Sequence, residues 1–354
     1  MMRVVIIGAG LIGAALAWEL SRAGARVTVV EAALQPAAQA SGRSFGWING
    51  SFYLNAAHHR LRVAGMAAHR RMARDLGADL WHWPGCLWWE DAAGLEAMTA
   101  DLEALSYDVR AVSGAEVARL EPALRAVPDR ALFFPQEGAV DAAALSRALL
   151  AASGAEVLFG WPVTGFVKRD GAVCGVRTAG EEIAADQVIV AAGTGAAGLL
   201  ADVGFGLPML QRPGVILTTQ AVARRIHHIL ALPGQDLRQD ALGRFIAPLA
   251  ANHQADASEA APTDRAALVT AAVQRLNAVL KGPELRAEQV ALAFRPVPGD
   301  GLPAVGPVAP GLWLAVLHSG VTLAAVVAAT LSAEVLGQGA DPMLAPFRPA
   351  RFWA

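Results

Sequence analysis

Short apolar runs alternate with helical stretches along most of the chain, and the punctuation between them is sharp. An apolar run at 4–7 leads into glycines at 8, 10 and 13. A helix follows over 14–23, Gly24 turns the chain, and a second apolar run at 27–30 ends in Glu31. The 55–76 stretch has helical spacing, with His58, Arg62, His69 and Arg70 expected on an exposed polar side. His58 and His59 are adjacent and cannot share a helix face, so no metal site is expected there. Residues 80–89 suggest two strands turned at Pro84-Gly85, and 95–105 and 114–120 suggest short helices. The 141–153 stretch predicts a helix with Asp141 as N-cap and Gly154 as its stop.

Residues 156–178 contain a hairpin turning at Arg169-Asp170-Gly171. A buried strand at 183–193 runs into Gly193-Thr194-Gly195, a place where backbone can meet a ligand. Strand-like pieces occupy 207–246, a helix 263–280, and Pro- and Gly-rich loops and strands 291–320. The uncharged stretch 312–331 is long enough to be weighed as a membrane span. Its interior, Leu317-His318-Ser319-Gly320-Val321-Thr322, reads instead as the turn of a strand-turn-helix unit over 313–336.

The opening strand, Gly-x-Gly-x-x-Gly, helix, second strand and terminal acid together form a dinucleotide-binding fingerprint in its required context. Gly8 allows the tight turn, Gly10 lets backbone approach a pyrophosphate, and Gly13 lets helix and strand pack closely. N–H groups at the helix start, around Leu11 and Ile12, favour phosphate. Glu31 is placed to accept hydrogen bonds from an adenosine ribose, which favours FAD or NAD over NADP.

A length of 354 residues implies two domains. The net charge of −2 and the lack of a basic block argue against nucleic acid as a partner. Cys86 and Cys174 have no metal or redox spacing and are expected to be small buried hydrophobes in a reduced cytoplasm. The apolar N-terminus is read as the first strand, not a signal peptide. Peripheral membrane association stays open, although no basic amphipathic stretch supports it.

Further segments carry a family resemblance. Ser41-Gly42-Arg43-Ser44-Phe45-Gly46-Trp47 follows the fingerprint, and Glu137-Gly138-Ala139-Val140-Asp141 opens a helix. Then come Ala191-Ala192-Gly193, Arg295-Pro296-Val297-Pro298-Gly299-Asp300-Gly301-Leu302-Pro303-Ala304-Val305-Gly306, and His318-Ser319-Gly320-Val321-Thr322-Leu323. Their order resembles the D-amino-acid oxidase family, which includes glycine oxidase, sarcosine oxidase, D-amino-acid dehydrogenase and subunits of opine oxidase and hydrogen cyanide synthase. The resemblance covers nearly the whole chain.

The family fold implies an α/β architecture: a Rossmann-type FAD-binding domain from 1–80, 138–206 and 291–354, and an antiparallel-sheet cap domain from 81–137 and 207–290. The implied chemistry is oxidation of the C–N bond of an amino acid or N-substituted amino acid such as glycine, sarcosine or a D-amino acid. Hydride passes to flavin N5 and the imine hydrolyses. Arg295 is implied to hold the substrate carboxylate, for which its planar fork is suited; the alternative is an arginine that bonds loop carbonyls. His318 faces flavin or substrate, or bonds a carbonyl, and is not assigned as a base. Ser319, Gly320, Val321 and Thr322 would offer a helix N-terminus to charge developing on reduced flavin. Ser41, Arg43, Ser44 and Gly46 are expected along the pyrophosphate and ribityl chain, with Val163, Ala192 and Gly193 also at the cofactor.

Trp47 matches a pocket-lining position, with a core tryptophan as the alternative. Trp81 and Trp83 are expected in the cap core, and His253 and Arg238 are placed near the pocket by family order alone. The chain departs from some sarcosine-oxidase relatives in two ways. No cysteine follows Cys174, so their cysteine tether is excluded and FAD is expected to be non-covalent. Only Lys168 and Lys281 are present, both expected in solvent, so a flavin-facing lysine for oxygen reduction is missing. The acceptor is expected to be oxygen, a quinone or another protein, and a homo- or hetero-oligomer is open. Two alternatives remain: an FAD-carrying subunit of a heteromeric amine or opine dehydrogenase with little activity alone, and an NAD-dependent dehydrogenase. The latter leaves the C-terminal segment unexplained.

Overall fold

A computed structural model describes residues 1–250 and 257–353. The opening strand Arg3–Ile7 pairs in parallel with Arg26–Glu31 on one side and Gln187–Val190 on the other. Glu156–Phe159 extends this sheet beyond Arg26–Glu31, and Leu312–Val316 and Ala304–Ala309 extend it beyond Gln187–Val190, giving six strands. All pairs are parallel except the terminal Ala304–Ala309 with Leu312–Val316. Alternate residues serve opposite faces: Val4 and Ile6 belong to one core, Val5 and Ile7 to another. A sheet covered on both faces needs such uninterrupted apolar runs.

One face carries the helices Leu11–Arg22, Ala142–Ser153 and Gly320–Val335. Leu11–Arg22 starts three residues earlier than its apolar pattern suggests, with Gly10 as N-cap. Gly13 is obligatory there, because a Cβ would lie 1.9 Å from the carbonyl oxygen of Gly8. Asp141 caps Ala142–Ser153 by accepting from the N–H groups of Ala143 and Ala144, and Gly154 ends it in the left-handed region. Leu323, Val327 and Leu331 of Gly320–Val335 are fully buried, each worth about 1.5–3 kcal/mol of hydrophobic stabilisation. The stretch weighed as a membrane span is therefore strand, turn and buried helix. No helix among the described residues is long and apolar enough to cross a membrane.

The hairpin of Val163–Arg169 and Ala172–Thr178 covers the other face. Its two-residue turn places both Asp170 and Gly171 at positive φ, matching the right-handed strand twist. Glu156–Phe159 lies outside this hairpin. The apolar run at 183–193 also divides, with Glu182–Ala184 pairing to the hairpin and Gln187–Val190 to the opening strand.

A second sheet of eight strands draws on 86–134 and 213–294. It is antiparallel except where Cys86–Trp88 meets Ile229–Leu232, the join between its two chain segments. Glu121 locks the same join. Its buried carboxylate accepts from the N–H groups of His227 and His228 and pairs with His228 Nδ1 at 2.7 Å. Helix Arg265–Val279, capped by Asp264, packs Ala272 and Leu276 on this sheet. Ala287–Phe294 lies wholly in this sheet and straddles the expected domain boundary at 290/291.

Several expectations change. Trp81–His82 and Cys86–Trp88 do not pair with each other; the former joins Gly138–Val140 and Trp47–Ile48 in a small three-stranded sheet. Trp81 and Trp83 accordingly pack against helix Ala56–Leu76 instead of the cap core: Trp81 Nε1 donates to His69 Nδ1, and the Arg70 guanidinium stands 4.0 Å over the Trp83 ring. Cys86 is buried, whereas Cys174 is half-buried.

The largest correction concerns Ala56–Leu76, whose polar side is not exposed. His58 and Arg62 are each 4% exposed and His69 is fully buried. That side packs on helix Gly320–Val335, and Gly65 sets the separation: a Cβ there would meet the Thr322 carbonyl oxygen at 2.4 Å. Gly65→Ala should therefore lower stability by about 1–3 kcal/mol through overpacking, despite alanine's better helix propensity. Gly198→Ala, where a Cβ meets nothing within 4 Å, should be neutral or stabilising. Urea unfolding of both variants checks this pair.

Candidate active site

Two helix N-termini converge on one cleft. Leu11–Arg22 presents Leu11 and Ile12, and Gly320–Val335 presents Gly320, Val321 and Thr322. They almost touch, since a Cβ at Gly320 would lie 3.8 Å from Ile12 Cδ1. The cavity is about 990 Å³, at the upper end of the roughly 300–1,000 Å³ typical of small-molecule sites. Glu31, Gly8, Gly10, Ser41, Arg43, Ser44, Gly46 and Trp47 all line it. Val163, Ala192 and Gly193 also line it, as do Arg295 and His318 through Thr322, the part called the far end below. Every residue singled out from the sequence for the site lines this cavity except Gly13, Arg238 and His253. Gly13 does not line it and instead sets the helix-to-loop approach; His253 lies outside the described residues.

The fingerprint loop is tightly built. Gly8 has φ +109°, and a Cβ there would meet the Ala191 carbonyl oxygen at 2.6 Å. Each Glu31 carboxylate oxygen accepts one backbone N–H, from Ala9 at 2.7 Å and from Ala33 at 2.8 Å. The carboxylate thus orders both the fingerprint turn and the bend after its own strand, and each oxygen keeps further acceptor capacity. Leu11 N–H donates to Ser41 Oγ, so one of the helix-start donors expected for phosphate has a side-chain partner. Ser44 Oγ accepts from Gly46 N–H, and Arg43 donates to Gln39 Oε1.

At the far end Arg295 donates to the carbonyls of Arg212 and Pro213 while lining the cavity. The bonds of the structural alternative and a place at the site therefore coexist in one side chain. His318 Nδ1 lies 3.5 Å from Ser319 Oγ. Trp47 combines its two readings as well: it lines the cavity and is 5% exposed, and its Nε1 donates to Glu137 Oε2 at 2.9 Å. Arg238 does not line the cavity. It donates to the Phe45 carbonyl from the neighbouring sheet, and burial pulls its guanidinium down to about 10. Lys281 donates to the Pro122 carbonyl, away from the cleft.

A buried polar network behind the far end escaped the sequence. Glu137 is fully buried and accepts from Trp47 Nε1, Tyr107 Oη, and the N–H groups of Gly50 and Ser51. Burial raises its carboxyl above the ordinary range, and these donors oppose the rise. Arg62, also lining the cavity, donates to the Asn49 carbonyl, to Asn49 Oδ1 and to Ser319 Oγ. About two turns further along the helix, His69 Nε2 meets the Val321 carbonyl at 2.7 Å. Since Trp81 donates to His69 Nδ1, the proton sits on Nε2 and His69 is the donor. The available signal was a stripe: Arg62, Gly65, Met66 and His69 share a helix face with Leu61 and Met72, which are apolar and buried.

The cradle suits a dinucleotide. The glycines at 8 and 13 have no room for a Cβ, a Cβ at Gly10 would crowd Ser41 Oγ at 3.2 Å, and an acid stands at the end of the second strand. Together with a parallel sheet whose strand ends open onto the cleft, this defines an oxidoreductase of the Rossmann-type flavin class with a second sheet over its site. The chain belongs to the FAD-dependent oxidoreductase family whose model matches residues 3–334, the D-amino-acid oxidase type. FAD is its cofactor. A glycine oxidase of Pseudomonas aeruginosa is 28% identical over 380 residues, spanning 98% of each protein. The solved iminodiacetate oxidase of a Chelativorans species superposes with a TM-score of 0.84 at 25% identity, over 98% of this chain and 99% of that one. The glycine oxidase of Geobacillus kaustophilus shares the fold with a TM-score of 0.85, at 24% identity over 99% of both.

The buried histidine gives a pH signature. Burial lowers His69 from its ordinary 6.5 to about 4. Between these values the unfolded chain binds the proton and the folded chain does not, so its contribution is complete above about pH 6.5 and is lost as pH falls toward 4. The loss amounts to about 1.4 kcal/mol for each pH unit in that window. His69→Gln keeps a donor for the Val321 carbonyl but cannot titrate. Its unfolding free energy should therefore fall less steeply than wild type over the same window, as urea titrations at several pH values would register.

Proposed function

We propose that this protein oxidises the C–N bond of a small amino acid or N-substituted amino acid, giving an imine that water hydrolyses to a carbonyl acid and ammonia or an amine. The observation that carries the reading is that the dinucleotide cradle around Glu31 and the fixed arginine Arg295 line one and the same cavity. Bound flavin supplies the hydride acceptor. The chain supplies position and field. Arg295 offers a planar cation to the substrate carboxylate, and its bonds to the carbonyls of Arg212 and Pro213 fix the plane of that fork. Trp47 closes the apolar side, held in one orientation by Glu137. His318 is assigned to substrate contact beside Arg295. The N–H groups of Gly320, Val321 and Thr322, at a helix N-terminus lining the cavity, would favour negative charge on the flavin when it is bound.

Toward the other end, Glu31 is assigned to the adenosine ribose. Ser41, Arg43, Ser44 and Gly46 are assigned to the pyrophosphate and ribityl stretch together with Gly8, Gly10, Leu11 and Ile12, and Val163, Ala192 and Gly193 to the cofactor's flank. The working division is an FAD-binding part of 1–80, 138–206 and 291–354 and a cap of 81–137 and 207–290, with 291–294 moved to the cap so that Ala287–Phe294 stays whole. The names of the similar glycine and iminodiacetate oxidases support a small, carboxylate-bearing amine as substrate.

The test is anaerobic reduction of the purified yellow protein by a panel of amines and amino acids, followed by air. Carboxylate-bearing amines should bleach the flavin and carboxylate-free amines should not. Failure of every amine to bleach it overturns the reading in favour of a subunit that needs a partner. Arg295→Lys should impair reduction, and Arg295→Ala should cost about 3–5 kcal/mol in transition-state stabilisation for amino acids. If both variants reduce amino acids normally, Arg295 is not the anchor.

Cofactor attachment is tested separately. Acid precipitation should release all the yellow colour, since FAD is held without a covalent bond. Glu31→Ala should weaken FAD binding by about 1.5–3 kcal/mol for each hydrogen bond lost while leaving reduction at saturating FAD nearly unchanged.

A further inference from the structure

Ser319 is left-handed at φ +58°, a conformation that costs a non-glycine residue about 1–3 kcal/mol. It is also the N-cap of Gly320–Val335, and its side chain makes no capping bond to that helix. Its Oγ instead accepts from Arg62 Nη1 at 2.6 Å. Arg62 is 4% exposed and lines the far end of the cavity, yet its hydrogen bonds all go to neutral oxygens of Asn49 and Ser319. Among the described residues no carboxylate stands within ion-pair distance of it; Glu137 acts on it only at longer range. A cation so placed is costly unless something else in the molecule uses it. Gly65 and His69, on the same helix face, hold the next residues of that turn through Thr322 and Val321.

We propose that Arg62 is a positioning residue for the redox site: it holds Ser319 in the left-handed conformation that aims the helix N-terminus into the cavity, and adds a fixed positive charge behind it. The inference rests on the flavin end lying at Ser319, as in the function proposed above. Arg62 and the helix N-terminus then act together to favour negative charge at that end of the cleft.

The probe is sulfite, an anion that bleaches the oxidised flavin of a holoenzyme without any amine substrate, measured beside the reduction potential. Arg62→Met should weaken sulfite affinity at least tenfold and make the potential more negative. Ser319→Ala should reproduce part of that loss, and the double variant should lose no more than Arg62→Met alone, because one interaction has been removed twice. Arg62→Lys should recover the potential in part, since it keeps charge but lacks the fork that spans Asn49 and Ser319.

Unchanged sulfite affinity and potential in Arg62→Met, or full additivity in the double variant, overturns the proposal. Should Arg62→Met fail to fold or to hold FAD, Ser319→Ala and Arg62→Lys decide, and wild-type sulfite affinity in both overturns it. The substrate reading fails on different evidence, the lack of amine-driven bleaching in the wild type, so the two failures are distinguishable.

Discussion

The far end of the cleft depends on how closely two helix backbones approach. At Gly65 the missing Cβ lets Ala56–Leu76 settle against the Thr322 carbonyl, and everything nearby is scaled to that distance. Arg62, one turn before, can then reach Ser319, and His69, one turn after, can reach the Val321 carbonyl. Three residues of one turn, Ser319, Val321 and Thr322, are thus gripped by three positions on one helix face. A side chain at Gly65 would move the grip outward as a unit. Packed interiors do not deform smoothly, so the geometry of a cleft wall is set by a contact that the ligand itself need not touch.

This arrangement separates what the sequence conveyed from what it did not. The fingerprint, the hairpin at Asp170-Gly171 and the cap at Asp141 are local: each is set by residues within a few positions of one another, and the structure has them. The strand-turn-helix unit around His318 was legible for the same reason. The burial of Arg62 and His69 was not, because the acceptors Ser319 and Val321 lie 257 and 252 positions away, and Asn49 sits in an irregular segment 13 positions before Arg62. On hydropathy alone an arginine and a histidine mark the solvent side of a helix. Only a partner carrying oxygens at the right height reverses that, and no local pattern announces the partner. The same holds for Cys86–Trp88, whose strand character was visible but whose parallel neighbour Ile229–Leu232 was not.

The site residues divide along the same line. The candidates Gly8, Gly10, Gly13 and Glu31 stood out through spacing on one short stretch, and all but Gly13 line the cavity. Arg295 and His318 were reached only through a family likeness, since a lone arginine and a lone histidine have no pattern of their own. Glu137 shows the limit: it stands in the stretch that opens a helix, yet its carboxylate faces Trp47, Tyr107, Gly50 and Ser51 and takes no part in helix capping.

The buried charges around residues 45–51 have a common cause. That segment is irregular apart from the short strand Trp47–Ile48, is largely buried, and walls the cleft, so its backbone polar groups need partners that regular structure does not provide. Arg238 serves the Phe45 carbonyl, Val140 N–H serves Gly46, and Thr322 Oγ1 bridges the Trp47 carbonyl and the Asn49 N–H. Arg62 serves the Asn49 carbonyl, and Glu137 serves the N–H groups of Gly50 and Ser51. A hydrogen bond to a charged group contributes about 1.5–3 kcal/mol, roughly twice a neutral one. Two arginines and a glutamate from three different elements thus offset the cost of burying an extended loop. The loop can then present Gly46, Trp47 and Asn49 to the cleft without fraying. Because Arg62 also holds Ser319, the two walls of the far end share one side chain, and a change in either wall is felt by the other.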